Sequence, residues 1–154
     1  MGDYRATIEW QSGAGADDFV KGRYSRVHQW TFDGGVTVPA TASPQVVPAQ
    51  WTDAKNVDPE QAFVAALSSC HLLTFLYVAA KAGFVVTRYS DTAVGVLTKN
   101  ERGVPWVSKV TLSPRIEWGD RRPSPEEEEQ LHHAAHDGCF IAQSVKTEVL
   151  VKPG

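Results

Sequence analysis

A chain of 154 residues suits one domain, because splitting it would leave two pieces too small for good cores. Apolar residues make up 42% and charged residues 21%, which excludes disordered, collagen-like and coiled-coil readings. Lys plus Arg is 15 and Asp plus Glu is 18, a net charge of −3, so no basic surplus points to nucleic acid or an anionic membrane.

The first ten residues carry a charge at Asp3 and no apolar run, which does not read as a signal peptide. The expected compartment is therefore the cytoplasm, where two cysteines are inert core thiols, metal ligands or redox groups rather than a permanent staple. Tyr4, Ala6, Ile8 and Trp10 alternate with Arg5, Thr7 and Glu9, the pattern of a half-buried strand. Residues 27–32 and 36–38 flank Asp33-Gly34-Gly35, a hairpin signal. Residues 39–58 hold Pro39, Pro44 and Pro48 and predict a long irregular loop.

A helix begins after Asp58, with Pro59 in its first turn and Gln61 placed to close a capping box. It is expected to run to about Ala82, where Gly83 suits the left-handed position. Residues 85–98 and 106–118 read as the two arms of a hairpin around a polar turn ending at Gly103. Ser124-Pro125-Glu126-Glu127 opens a second helix that ends near Gly138, and residues 148–152 form a last strand.

The first helix is unusual. Residues 61–80 contain no charged side chain, and their apolar residues go all round, as in a helix buried on every side. About 20 such residues can cross a bilayer, but Ser68-Ser69-Cys70-His71 would sit at the bilayer centre, where polar groups are expensive. The reading preferred is a central helix, no membrane span, with a second subunit covering what one sheet cannot.

Three stretches carry a resemblance: Asp58-Pro59-Glu60-Gln61, Leu67-Ser68-Ser69-Cys70-His71 and Ala135-His136-Asp137-Gly138-Cys139. Together, with Cys70 ten residues after Glu60, they resemble the OsmC/Ohr family of thiol-dependent hydroperoxide reductases. The order of elements also matches, over nearly the whole chain, 1–154. The sequence departs from the family where Phe140, Ile141 and Ala142 replace the proline and serine that many members carry after the second cysteine.

The resemblance implies an α+β fold with antiparallel sheets around a long central helix, in an intertwined homodimer. It implies a peroxidase in which Cys70 attacks an organic hydroperoxide and Cys139 resolves the product as a disulfide, with an external dithiol as reductant and no cofactor. Burial disfavours a thiolate, so a cation must offset it. The family arginine precedes a strand turn; Arg23 and Arg26 are the candidates, and Arg26 lies closer to Asp33-Gly34. Glu60 is the carboxylate for that arginine. Ten residues of helix separate it from Cys70 by roughly 15 Å, so it is expected to serve the partner subunit's cysteine. Phe75, Trp51 and Phe140 are expected to favour an alkyl tail. Two rival classes remain: an apolar-ligand-binding or redox-sensing dimer, and a zinc protein using His132, His136 and the cysteines.

Overall fold

A computed structural model describes residues 1–154, and the fold is α+β. The chain groups into two compact units, Met1–Ala62 and Phe63–Gly154.

The first unit is an antiparallel meander of β1 (Ala6–Glu9), β2 (His28–Phe32) and β3 (Thr37–Ala40). Ile8 faces Trp30, and Trp30 faces Val38. The turn at Gly35, φ 85°, closes the expected hairpin. The half-buried first strand does not materialise within one chain: Tyr4 and Ile8 stay exposed, and β1 buries neither face. A short helix that the sequence reading lacked, α1 (Ala16–Val20), joins β1 to β2. The proline-rich loop is pinned rather than loose. The Thr41 amide donates to the Val57 carbonyl, the Val57 amide to the Pro39 carbonyl, and the Asp53 amide to Thr41 Oγ1.

The long helix α2 runs unbroken over Pro59–Lys81. Its start is the predicted capping box: Asp58 Oδ1 accepts from the Gln61 amide at 2.8 Å, and Gln61 Oε1 from the Asp58 amide at 3.1 Å. Gly83, φ 81°, ends it. Only a stripe at i, i+4 spacing is buried, Leu67, His71, Phe75 and Ala79. Leu73 and Tyr77 are 64% and 61% exposed, so a single chain leaves part of the helix uncovered.

In the second unit the two predicted arms each split in two. They become β4 (Val86–Ser90), β5 (Val94–Lys99), β6 (Pro105–Leu112) and β7 (Arg115–Trp118). β5 and β6 form the hairpin around Gly103, while β4 and β7 pair as a separate ribbon. The break is fixed by Asp91, whose Oδ1 accepts from the Ser113 amide at 2.6 Å, beside the buried Pro114. Helix α3 (Pro125–Gly138) has its own capping box, Ser124 with Glu127. It is followed by a short α4 (Phe140–Gln143) and β8 (Glu148–Val151). β8 lies parallel to β6, because the chain returns through α3 and α4 instead of a tight turn.

The stripe of α2 serves two cores. Phe75 and Ala79 pack with Phe84, Leu131 and Ala135, under Trp118 and Ile116. Leu67 packs with Val110 and Leu112, with Val149 against them. Each large side chain buried here contributes roughly 2–3 kcal/mol. Gly95 of β5 is needed for this approach, since a Cβ there would lie 2.6 Å from Val64 Cγ2.

Candidate active site

Both cysteines are free thiols, and the fold brings them together. Cys70 sits mid-helix on α2 and is half-buried. Cys139 is fully buried at the junction where α3 ends and α4 begins. That junction is not a loop. Cys139 is the N-cap of α4, and its Sγ accepts from the Ala142 amide at 3.4 Å.

The Cys139 thiol is pushed up to about 11, first by burial, then by the neighbouring Cys70 side chain. The backbone amides of Ala142 and Ile141 act the other way without cancelling this. Cys139 therefore keeps its proton at neutral pH. The two cysteines differ in exposure: Cys70 is partly open to solvent and Cys139 is sealed.

The other two expected residues lie in the first unit. Arg26 is half-buried, and its NH1 donates to the carbonyls of Gly22, at 2.9 Å, and Tyr24. Arg23 is instead an exposed partner of Asp18 at 3.9 Å. Glu60 forms no ion pair with either arginine, and its Oε2 is buried without a hydrogen-bond partner. A buried, unpartnered carboxylate oxygen is costly.

The polar break in α2 has another explanation than the site alone. Ser68 Oγ donates to Asp91 Oδ2 at the bend between β4 and β5. His71 Nε2 lies 3.1 Å from His132 Nδ1, with the rings stacked at 7°. So Ser68 and His71 serve packing. No sequence signal announced the histidine pair, whose members lie 61 residues apart. Phe75 is a correction: it is fully buried against His132, ring centroids 4.4 Å apart, and cannot line a substrate channel. Phe140 is 76% exposed and Trp51 half-buried, so both remain accessible.

No three His, Cys, Asp or Glu side chains converge as a metal site. A cavity of about 910 Å³ opens beside α3, walled by Glu128, His132 and His136 and by Val149 and Val151. Neither cysteine lines it.

The histidine pair gives a pH prediction. His71 and His132 are both lowered to about 4, mainly by burial. His136 adds repulsion on His71, Asp91 opposes it, and His71 repels a charge on His132. The unfolded chain takes these protons near 6.5 and the folded one only near 4. Stability is thus full above pH 6.5 and falls as pH drops from 6.5 towards 4, by on the order of 3 kcal/mol per histidine at most. Urea midpoints at pH 7, 5.5 and 4.5 measure it. His132→Gln should flatten this dependence; an unchanged slope would assign it to other groups.

The OsmC-like protein family matches residues 52–153. The chain is 46% identical to an OsmC-like protein of unknown function from Vibrio cholerae, over 100% of both chains, with a TM-score of 0.94. It shares its fold with the organic hydroperoxide resistance protein OhrB of Bacillus subtilis, at 20% identity over 97% of this chain and 98% of that one, TM-score 0.69. An organic hydroperoxide resistance protein from Elizabethkingia anophelis gives 19% identity over 99% and 94%, TM-score 0.71. No curated protein matches. By its family match, its fold and its paired cysteines, the chain belongs to the OsmC/Ohr family of OsmC-like proteins.

Proposed function

We propose that the protein is a thiol-dependent peroxidase acting on organic hydroperoxides. The observation that carries this reading is the proximity of a half-buried Cys70 to a sealed, protonated Cys139. Cys70 as thiolate attacks the O–O bond; its sulfur takes the distal oxygen and becomes a sulfenic acid, while the alkoxide picks up a proton and leaves as alcohol. The Cys139 thiol then condenses with that sulfenic acid, losing water and forming a disulfide. An external dithiol restores both thiols by two exchange steps and is itself oxidised. A reducing compartment, the cytoplasm, suits this cycle.

The homodimer belongs to the same reading. The exposed face of α2, with Leu73 and Tyr77, is apolar surface that a second copy would cover. Because α2 is unbroken, Glu60 and Cys70 of one chain stay roughly 15 Å apart along its axis. In a dimer the Glu60 of each chain would serve the site built around its partner's Cys70, holding the arginine there.

Arg26 supplies the cation. Within its own chain it carries no carboxylate partner, which leaves it open to the Glu60 of a second copy while its charge favours a thiolate. Arg26→Ala should slow Cys70 alkylation at pH 7 roughly tenfold or more, and Arg23→Ala should do less. A larger effect at Arg23 would reverse the assignment. The whole reading is tested by hydroperoxide consumption with dithiothreitol as reductant. Steady turnover of cumene hydroperoxide, faster than of hydrogen peroxide, is expected; binding without turnover contradicts it.

A further inference from the structure

The guanidinium of Arg26 is held in a way that no ion pair explains. Its Cζ lies 3.6 Å over the centre of the Tyr24 ring. Its NH1 is gripped by the carbonyls of Gly22 and Tyr24. Gly22 has φ 75°, which turns its carbonyl to that position at no steric cost. The Tyr24 ring is itself fixed. It stacks on Phe19 at 4.6 Å, and Trp10 meets it edge-on at 5.7 Å. Trp10 is tied down by its indole N–H, which donates to the Ser25 carbonyl at 2.9 Å. No Asp or Glu oxygen lies within 4.0 Å of Arg26. Within the chain, the result is a cation fixed on neutral carbonyls and a ring face. The Tyr24 hydroxyl makes no hydrogen bond in the chain, so the ring is the working part.

From this stack we infer that Tyr24, backed by Phe19 and Trp10, is a positioning residue that fixes the Arg26 guanidinium for the thiol chemistry. The inference rests on the proposed role of Arg26 towards Cys70.

The test is the rate of Cys70 alkylation by iodoacetamide between pH 6 and pH 9, followed by mass spectrometry of the peptide that contains it. Tyr24→Leu should slow the reaction at pH 7 by about three- to fivefold and move the pH profile to higher pH. Tyr24→Phe, which keeps the ring, should match the wild type. In the Arg26→Ala background, Tyr24→Leu should add nothing, because its effect runs through the arginine. Should Tyr24→Leu not fold, Tyr24→Met keeps the apolar contact with Phe19 and carries the same comparison. If Arg26→Ala slows alkylation and the Leu or Met variant does not, the positioning role is overturned and the reading of Arg26 stands. If the effect persists in the Arg26→Ala background, or if Tyr24→Phe is as slow as Tyr24→Leu, the role is also overturned. If Arg26→Ala itself has no effect, the reading of Arg26 fails first.

Discussion

Cys70→Ser reduces hydroperoxide consumption to the uncatalysed rate. A serine hydroxyl is not ionised at neutral pH and its oxygen has no low-energy route to accept the distal peroxide oxygen, whereas a thiolate does both. The substitution should be tolerated by the fold. Cys70 is half-buried and flanked on α2 by Ser69, which already accommodates a hydroxyl at a neighbouring position of the same helix. The loss is then chemical, and unchanged thermal unfolding together with absent turnover shows it. An active Cys70→Ser variant would remove the proposed nucleophile.

Cys139→Ser has a different signature: about one hydroperoxide consumed per chain, followed by a stall. The first step needs only Cys70. The second needs a thiol in contact with the sulfenic acid, and the chain holds no other cysteine. Serine is a good N-cap, so it can take over the hydrogen bond from the Ala142 amide and keep α4 in place. Unreduced sulfenic acid is then open to further oxidation to sulfinic acid, which dithiols do not reverse. Stopped-flow peroxide consumption separates the outcomes. Full multiple turnover in Cys139→Ser would show that Cys70 is reduced directly and that Cys139 is a packing thiol.

The helix ends were legible because their chemistry is local. Asp58 with Gln61 and Ser124 with Glu127 satisfy orphan amides within four residues, and Gly83 answers a demand of one backbone angle. The turns at Gly35 and Gly103 were legible for the same reason. What escaped was set at long range. The splitting of both arms depends on Asp91 reaching Ser113, 22 residues away, and neither residue signals it alone. The parallel β6–β8 pairing follows from where α3 carries the chain.

The site divides in the same way. The cysteines were found through their motifs, and the fold places them close enough for Cys70 to act on the Cys139 thiol. The polar interruption around Cys70 was overread, because Ser68 and His71 each answer a partner far along the chain. Phe75 was misplaced although a signal existed: it continues the spacing of Leu67 and His71 by four, the stripe that turned out to be buried. That one chain would leave part of α2 uncovered was legible, but which residues stay exposed was not, because composition records how apolar a helix is and not which face the sheets cover.

The central claim is that Cys70 and Cys139 are partners in one oxidation. It is tested most directly by treating the reduced protein with one equivalent of cumene hydroperoxide, quenching with an alkylating agent, and mapping the peptides without reduction. The account predicts a Cys70–Cys139 crosslinked peptide within one chain, in an amount equal to the peroxide consumed. Both cysteines recovered alkylated, with the peroxide intact, would contradict it and leave a ligand-binding member of the same fold.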